Sequence, residues 1–367
     1  MKILYVTTVG LTMTFFGSII RELLDKGHTV DIACNESDSQ VPDCYRDWGC
    51  RIHRIDCVRT PFAAGNARAV GQIRRLVREN GYGIVHCHTP IAAACTRLAC
   101  KDLRKEGVRV FYTAHGFHFY KGAPLKSWLL YYPIEKLCAH FTDTLITINR
   151  EDYALAKRKM KAGQVVYVPG VGIDVDKFRN TVVDRPAKRK ELGIPEDAFL
   201  LLSVGELNEN KNHQIVIRTL AELNDPSIHY AIAGNGALAE YLTALAEQLG
   251  VADRVHLLGY RRDVAELYKT ADVDVFPSIR EGLGLAAIEG MAAGMPLICS
   301  DNRGTRDYAV NGMNALVCGN VGDYAEAISR LRVDYQLREE LGRTGSRSAE
   351  RFSVGEVNRE MLKVYTK

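Results

Sequence analysis

The strongest constraint on the fold is an alternation of strand and helix patterns that runs through the chain twice and is interrupted once. Short apolar runs such as KILYVTT, GIVHCHT and FLLLSVGEL are each followed by a segment with helical periodicity. Repeated alternation of this kind predicts a parallel sheet with helices on both faces. The chain is therefore expected to be α/β, with two Rossmann-like doubly wound domains facing across a cleft.

The break in periodicity, where glycine, proline and charged residues increase, determines the predicted domain boundaries. We predict a first domain over residues 1–170, a linker over 171–188 and a second domain over 189–350. Residues 351–367 are predicted to form a helix that packs back toward the first domain. The 367 residues are enough to give each domain its own core.

Composition is that of an ordinary globular protein, with 47% hydrophobic and 25% charged residues. The N-terminal MKILYVTTVG is predicted to be a strand rather than a signal peptide, and no apolar run is long enough for a membrane span. Ten cysteines without C-x-x-C spacing predict buried thiols in a reducing cytoplasm. The net charge of +4 divides into +9 over residues 1–170 and −5 over the rest. The basic half indicates an anionic partner, which is nucleic acid, an acidic ligand or a membrane surface.

The segment SIREGLGLAAIEGMAAGMPLICSD, residues 278–301, places two acids around a loop-to-helix junction. Glu281 lies in a glycine-containing loop, and Glu289 lies in the alanine-rich helix that follows. The first amides of a helix favour an anion, so an elongated ligand with a phosphate and hydroxyl-bearing rings fits between the two carboxylates. The alternative interpretation is that Glu281 caps the helix and Glu289 is solvated.

Further candidate residues lie at the predicted carboxyl ends of strands, where open α/β sheets bind ligands. Lys211 and the glycines of AGNG, residues 233–236, occupy such positions in the second domain. Lys211 suits a diphosphate, although a solvated loop lysine is the competing interpretation. In the first domain, His115 is expected to face the cleft and contact a sugar hydroxyl or help a proton leave. His86 is expected to be a hydrogen-bonded core residue, and His118 is left undecided.

Several motifs taken together resemble a known family. They are the E-x7-E arrangement of Glu281 and Glu289, MAAGMPLICSD, YAVNG, VGEL with Lys211, ADVDVFPS, GVGID and the HG of His115. In this combination the chain resembles the retaining glycosyltransferases of family 4, the glycosyl transferase group 1 type with the GT-B fold, over nearly its whole length. The stretch from YTAHGFHFYKG to INREDYALAKR is similar to bacterial capsule and exopolysaccharide members.

The resemblance implies a role for each matching residue. Glu281 is expected to contact the donor sugar, Lys211 to face the diphosphate, and His115 to meet the sugar, and these three are the predicted catalytic residues. Glu289 is expected to bind the ribose hydroxyls. The other predicted donor-binding residues are Gly205, Gly234, Arg261, Gly282, Leu283, Gly284 and Leu285. Gly10 and His118 are predicted on the acceptor side, and no metal ion or other cofactor is expected.

Two positions depart from the family pattern. Glu206 stands where the family usually has an arginine, so one diphosphate cation is missing. Lys211, or another residue such as Arg261, is expected to compensate. The N-terminal GG-x-E element is replaced by Gly10 and LTMTFFG, so the family's acceptor-side details do not carry over. The same turn lacks the G-x-G-x-x-G fingerprint of an NAD site.

The favoured function is transfer of a hexose or N-acetylhexosamine from a nucleotide diphosphate sugar, with UDP as the expected nucleotide. Retention at the anomeric carbon, a glycan or polyprenyl-diphosphate-linked acceptor, and a place in capsule or exopolysaccharide synthesis follow from the resemblance. Two alternatives stay open. One is a nucleotide-sugar epimerase or hydrolase of the same architecture, and the other is a non-catalytic nucleotide-sugar-binding subunit.

The first domain is also expected to dock on an anionic membrane, which would make the protein cytoplasmic and peripheral on the inner face of the cell membrane. The segment YKGAPLKSWLLYYPIEKL mixes lysines with apolar and aromatic residues, as suits a headgroup boundary. The aromatic residues concerned are Trp128, Tyr131 and Tyr132. The alternative is a solvated basic face with core aromatics. Nucleic acid is not expected as a partner, because no recognised binding motif accompanies the basic residues.

Overall fold

The computed structural model describes residues 1–366, which form two compact α/β units. The first unit contains Met1–Gly172 together with the segment that begins at Val354, and the second contains Ile173–Ser353. Each unit has one sheet in which every strand pair is parallel. The predicted α/β class with two doubly wound sheets is confirmed.

The first unit follows the predicted alternation closely. Its strands are β1 Lys2–Val9, β2 Thr29–Asn35, β3 Ile52–Arg54, β4 Ile84–His88, β5 Arg109–Ala114, β6 Thr144–Thr147 and β7 Gln164–Tyr167. Its helices before residue 172 are α1 Gly17–Asp25, α2 Cys44–Asp47, α3 Ala64–Asn80, α4 Pro90–Cys100, α5 Leu125–Ala139 and α6 Arg150–Lys159. The seven strands lie in the order β3-β2-β1-β4-β5-β6-β7.

The second unit repeats this plan with six strands. Its helices are α7 Val175–Asn180, α8 Arg185–Glu191, α9 His213–Leu223, α10 Ala239–Gln248, α11 Val264–Thr270, α12 Leu285–Ala292, α13 Val321–Val333 and α14 Tyr335–Ala349. Its strands are β8 Phe199–Val204, β9 Ile228–Ala233, β10 Val255–Gly259, β11 Val273–Phe276, β12 Leu297–Ser300 and β13 Leu316–Cys318. They lie in the order β10-β9-β8-β11-β12-β13.

Short 3-10 turns complete the secondary structure, and a last helix, α15 Val354–Thr366, belongs to the first unit. The turns are Gly10–Phe15, Leu103–Glu106, Glu209–Lys211, Ala252–Arg254, Thr305–Asp307 and Glu350–Phe352. Helix α15 packs beside α1 and inserts Tyr365, whose hydroxyl is 2.5 Å from that of Tyr5. Among residues 1–366, no helix is both long enough and apolar enough to cross a bilayer.

The segment 171–188, predicted to be an irregular linker, carries regular structure instead. The two units divide between Gly172 and Ile173, and the segment contains α7 and the first turn of α8. Side chains of Asp174 and Asp184 accept hydrogen bonds from backbone amides at the starts of these helices. Helices of six and seven residues are too short to show a helical period, which is why the sequence does not predict them.

Strand β1 explains why the apolar runs show no polar alternation. Ile3 and Tyr5 belong to a core cluster on one face of the sheet, which includes residues of α1 and α15. Leu4 and Val6 belong to the cluster on the other face, which includes residues of α3 and α4. A central parallel strand is covered on both faces, so consecutive residues are all buried.

The strand orders define one switch point in each sheet, which is where the direction of winding reverses. In the first sheet it lies between β1 and β4, and in the second it lies between β8 and β11. The loops that leave these strand pairs at their carboxyl ends diverge and leave a crevice, where ligands bind in open α/β sheets.

Candidate functional site

The predicted site residues of the second unit gather at its switch point. Lys211 lies on the loop after β8, and Glu281 lies on the loop after β11. Two hydrogen bonds join these loops: the Ile279 amide donates to the Asn210 carbonyl at 2.8 Å, and the Asn210 side-chain amide donates to the Arg280 carbonyl at 2.8 Å. Two segments separated by 70 residues are therefore held as one surface.

Lys211 and Glu281 form an ion pair at the centre of this surface. The Lys211 Nζ to Glu281 Oε1 distance is 2.7 Å, and the side chains are 21% and 16% exposed. Lys211 Nζ also lies 5.1 Å from the centre of the Phe276 ring. The sequence predicted both residues but not their pairing. The pair places a cation and a carboxylate within reach of one ligand, and a bound anion would compete with Glu281 for Lys211.

Two predicted glycines allow the loops to approach. A Cβ on Gly205 would lie 3.2 Å from the Lys211 Cε, so the glycine leaves a path for the lysine side chain. A Cβ on Gly234 would lie 1.9 Å from the Gly205 carbonyl oxygen, which the backbone could not accommodate. Packing therefore requires glycine at 234, whereas at 205 it eases the path of the lysine side chain, and contact of either glycine with a ligand stays a prediction.

The loop from Gly282 to Gly284 ends at the start of α12, as predicted. Gly284 has φ of +89°, and a Cβ there would lie within 3 Å of the Phe276 ring and 2.9 Å from the Tyr308 hydroxyl. Helix α12 begins at Leu285, and among residues 1–366 no side chain caps it. The first amides of the helix therefore lack a side-chain acceptor, which suits them to an anionic ligand. Leu283 is buried, so only its backbone can serve a ligand.

Sequence reasoning missed the segment that supports Glu281 from behind. Arg303 is buried, and its Nε donates to the Glu281 carbonyl at 3.1 Å. A Cβ on Gly304 would lie 2.9 Å from the Glu281 Cβ and 2.8 Å from the Leu283 carbonyl oxygen. The only sequence signal was the glycine of SDNRGTRD, which does not by itself identify what the backbone approaches.

Glu289 lies on α12 in a partly buried position, which favours a role in the site over that of a freely solvated side chain. Burial raises the pKa of the Glu289 carboxyl to about 7, and the positive charge of Lys177 lowers it only in part. The neighbouring residue, Gly290, faces Asp274, whose Oδ2 would be 2.1 Å from a Cβ at Gly290. Burial, and secondarily the charge of Glu289, raises the pKa of Asp274 well above its usual value. Glu289 therefore changes charge near neutral pH beside a protonated acid.

Arg261 lies in a separate ion-pair network. Its guanidinium is 2.5 Å from Glu191 and 2.5 Å from Asp263, and Lys188 contacts the same two acids. Two carboxylates already neutralise this arginine, so the structure gives no sign that Arg261 replaces the cation missing at Glu206. Its predicted role stays untested.

In the first unit, three histidines pack together at the carboxyl ends of β4 and β5. His88 Nδ1 lies 3.1 Å from His115 Nε2, and His86 is hydrogen-bonded to Tyr365 at 2.5 Å and to Thr113 at 2.8 Å. Both nitrogens of His86 are occupied, which agrees with a structural role. Burial lowers the pKa of His86 to about 3 and that of His115 to about 4. The imidazoles are therefore neutral at pH 7.

The two predicted acceptor-side residues differ in their surroundings. A Cβ on Gly10 would lie 2.4 Å from the Ser39 carbonyl oxygen, so close backbone packing explains this glycine. His118 stacks on Tyr131 with ring centres 4.4 Å apart, and both line a cavity of about 340 Å³ with Arg59. Within residues 1–366, no cluster of three or more His, Cys, Asp or Glu side chains is arranged to hold a metal ion.

Both halves of the chain match family models of glycosyltransferases. Residues 184–348 match the family model for glycosyl transferases group 1, and residues 13–170 match that for the glycosyl transferase 4-like domain. The chain is 41% identical over 84% of its length, and 82% of the relative's, to EpsD of Bacillus subtilis, which is assigned as a glycosyltransferase. It is 29% identical to the UDP-Gal:alpha-D-GlcNAc-diphosphoundecaprenol alpha-1,3-galactosyltransferase of Escherichia coli, over 71% and 69% of the two chains.

Solved structures agree on the architecture. The Anabaena protein Alr3699/HepE, solved in complex with UDP and glucose, superposes with a TM-score of 0.83 over the full length of both chains at 18% identity. At this identity the likeness establishes the fold, which is the predicted GT-B fold. Family models, a close relative and the fold agree, so this chain belongs to the glycosyl transferases group 1 family and is a glycosyltransferase of the GT-B type.

Proposed function

We propose that the protein transfers a hexose or N-acetylhexosamine from a UDP-sugar to a glycan or lipid-diphosphate-linked acceptor, with retention at the anomeric carbon, in capsule or exopolysaccharide synthesis. The observation that carries the proposal is the Lys211–Glu281 ion pair at the switch point, beside the uncapped start of α12. Lys211 and the first amides of α12 suit the diphosphate of a nucleotide-sugar, and the Glu281 carboxylate suits the hydroxyls of its sugar.

The proposed chemistry breaks the bond between the anomeric carbon and the diphosphate oxygen. A bond forms from that carbon to the acceptor hydroxyl oxygen, and the hydroxyl proton passes to the leaving diphosphate oxygen. Negative charge grows on the leaving diphosphate, so Lys211 and the first amides of α12 would stabilise the transition state more than the ground state. This arrangement uses side-chain and backbone charge, and we propose that no metal ion is required.

Glu281 and Glu289 are proposed to bind opposite ends of the donor. When a diphosphate takes Lys211, the Glu281 carboxylate can accept hydrogen bonds from the sugar hydroxyls. Glu289, partly buried on α12, would accept from the ribose hydroxyls in its ionised form. In the first unit, neutral His115 is proposed to contact the sugar, with its Nε2 held by His88.

The proposal is tested by measuring UDP release from a panel of UDP-sugars with and without acceptor. We expect release that depends on acceptor, accompanied by a glycosylated product whose anomeric proton coupling in NMR matches the donor. Release at the same rate without acceptor would favour the hydrolase or epimerase alternative. Tight UDP binding without any turnover across the panel would favour the binding subunit.

We further propose that the protein is cytoplasmic and docks peripherally on an anionic membrane through α5. The structure modifies the expected surface, because Trp128, Tyr131 and Tyr132 pack against the core. Leucines provide the exposed face instead: Leu125 is 72% exposed and Leu129 is 69% exposed. Apolar side chains flanked by lysines suit the boundary between lipid headgroups and acyl chains.

Vesicle co-sedimentation tests this docking. Binding to vesicles containing anionic lipid but not to neutral vesicles, reduced by salt, is the expected result. The double variant Lys121→Glu with Lys126→Glu should weaken it, whereas Lys157→Glu with Lys159→Glu on α6, which changes the charge equally, should have a smaller effect. Absence of sedimentation with anionic vesicles at low salt would contradict docking and favour a water-soluble acceptor.

A further inference from the structure

The switch point of the first sheet opens into a pocket of mixed lining, called the polar pocket here because it carries the threonine and arginine side chains that the neighbouring groove lacks. This cavity of about 340 Å³ is bordered by residues at the ends of β1 and β4 and by the loop before α3. Its polar and aromatic lining consists of Thr8, Thr12, Arg59, Thr89, His118 and Tyr131. It occupies the place in the first sheet that the Lys211–Glu281 pair occupies in the second, which is where doubly wound sheets bind ligands.

An apolar groove continues from the polar pocket. It has a volume of about 400 Å³ and is formed by side chains of α3, α4 and α5, among them Ala67, Val70, Ala94, Leu98, Leu130 and Ile134. The two cavities share Pro61, Pro90, Ile91 and Tyr131 as lining residues. The polar pocket and the apolar groove are therefore neighbouring parts of one cavity system, with hydroxyl and charged side chains at one end and almost entirely apolar side chains at the other.

The apolar groove keeps large apolar side chains in contact with water. Leu98 is 39% exposed, Leu130 and Ile134 are each 37% exposed, and Phe62 at the rim is 82% exposed. Contiguous exposed apolar residues in a soluble unit usually mark a binding surface. The one carboxylate among the groove's lining residues, Glu135, is buried and paired with Arg97 at 2.8 Å, so it does not give the groove an acidic character.

Backbone strain accompanies both cavities. Phe62 and Thr89 each have φ of +62°, which is rare for aromatic and β-branched residues. Thr89 is held by Thr8, whose hydroxyl lies 2.7 Å from its own. Strained residues of this kind persist where the surrounding structure holds them, and they cluster at ligand-binding sites. One strained residue lies on the polar pocket and the other on the apolar groove.

Arg59 gives the polar pocket a positive charge that the protein itself does not neutralise. Its side chain has no hydrogen-bond or ion-pair partner among residues 1–366, and it is the only Lys or Arg among the pocket's described lining residues. Other arginines of the unit, such as Arg68, Arg74 and Arg104, each pair with an acid. An unpaired guanidinium at the junction with an apolar groove is complementary to a phosphate that carries a hydrocarbon chain.

We infer that the polar pocket and the apolar groove together bind the acceptor as an amphiphile, with its diphosphate at Arg59 and the first part of its hydrocarbon chain between α3, α4 and α5. The inference rests on the proposed function, since it gives the acceptor class that the glycosyl transfer would use. An apolar segment of another protein, or a second copy of this chain, could fill such a groove, but neither accounts for the charge at Arg59.

Isothermal titration of the full-length protein tests the inference, with UDP present at saturation so that the donor's diphosphate site is filled. The probes are farnesyl diphosphate, inorganic diphosphate and farnesol, all below the concentrations at which they aggregate. Farnesyl diphosphate should bind at least about tenfold more tightly than either of the others, because only it fills both parts of the cavity. Equal affinities for farnesyl diphosphate and inorganic diphosphate would overturn the inference.

Variants with matched controls separate the two parts of the cavity. Ala94→Phe should fill the apolar groove and reduce the affinity for farnesyl diphosphate to that for inorganic diphosphate. Ala154→Phe, on the exposed face of α6, should leave it unchanged. Arg59→Glu should weaken binding of farnesyl diphosphate at least about tenfold, and Arg158→Glu, with the same change of charge, should not. An unaltered thermal shift with UDP shows that each variant is folded.

The outcomes distinguish this inference from the proposed function. Farnesyl diphosphate binding that both cavity variants reduce supports the amphiphile site even when no UDP-sugar is turned over, which would contradict the proposed function alone. Acceptor-dependent turnover together with farnesyl diphosphate binding that neither variant alters overturns the amphiphile site alone. A dimer that Leu130→Ser dissociates, and that farnesyl diphosphate does not, would assign the apolar groove to a second copy and also overturn the inference.

Discussion

The two switch points of this protein have the same topology but contrasting surroundings. At the second, Lys211 and Glu281 are paired at 2.7 Å within loops whose close approach only glycine permits. At the first, His86 and His115 are neutral, Arg59 has no partner among the described residues, and an apolar groove lies alongside. Tight loops with opposed charges suit a small ligand of fixed shape, whereas an open apolar groove suits a chain of variable length.

The largest effect should come from Glu281→Ala. This change removes the proposed acceptor of the sugar hydroxyls and leaves Lys211 without its partner. We expect the transfer rate to fall by at least about a thousandfold, measured as acceptor-dependent UDP release. Glu209→Ala, a change on the neighbouring turn, is a control that should stay near wild type. A Glu281→Ala rate within tenfold of wild type would show that the ion pair is structural.

Lys211→Ala should reduce kcat by about a hundredfold, with a smaller change in KM for the donor. The physical reason is that a charge-assisted contact to the leaving diphosphate strengthens as negative charge develops. Steady-state kinetics with varied donor separates the two parameters. If KM rose and kcat did not change, Lys211 would contribute only to ground-state binding, and the second switch point would be a binding site alone.

Glu289 should make donor binding depend on pH. Its pKa of about 7 means that the fraction able to accept from ribose hydroxyls increases as the pH rises from 6 to 8. UDP affinity should therefore increase about tenfold over this range, and Glu289→Gln should abolish the dependence. Because folding raises the pKa of Glu289 from 4.5 to about 7, the folded protein holds this proton more tightly than the unfolded chain does. The free energy of unfolding of the unliganded protein should therefore decrease as the pH rises through this range. UDP affinity that falls with rising pH would contradict the assignment.

His115, unlike Glu289, should keep the same charge between pH 6 and pH 8. An exposed histidine titrates near ~6.5, but burial lowers the pKa of His115 to about 4, so it stays neutral above pH 5. We expect His115→Gln to lower the rate several-fold without altering the pH profile between 6 and 8. A profile that loses its acid limb in this variant would mean that His115, and not Glu289, is the titrating group.

The smallest expected effect is that of chelation. Lys211 and the start of α12 supply the positive potential for the diphosphate in this account, so EDTA should leave the transfer rate unchanged. A rate that falls with EDTA and returns with added Mg²⁺ would show that a metal shares this role, and that the charge assigned to the second switch point is incomplete.

Much of the fold was predictable because parallel strands buried on both faces have an unmistakable pattern. Runs such as FLLLSVGEL have no polar alternation and are separated by helical segments, and they became β8 and the other strands. The sequence did not predict α7 and α8, because these helices are held by aspartate caps and tertiary packing and not by a periodic pattern long enough to detect.

The site was predictable in part. Motif positions identified Lys211, Glu281 and Glu289, but their pairing, and the support from Arg303 and Gly304, depend on loops far apart in sequence. The raised pKa of Glu289 could not be predicted either, because it comes from burial beside β11 rather than from its neighbours along the chain.

The central claim is that Lys211 exchanges its ion pair with Glu281 for the donor's diphosphate. Titration of UDP and UMP into the wild type, Lys211→Met and Glu281→Gln tests it most directly, because the two nucleotides differ only in the terminal phosphate. We predict that Lys211→Met weakens UDP about tenfold and leaves UMP unchanged, whereas Glu281→Gln does not weaken UDP. Equal affinity of Lys211→Met and wild type for UDP would contradict the account.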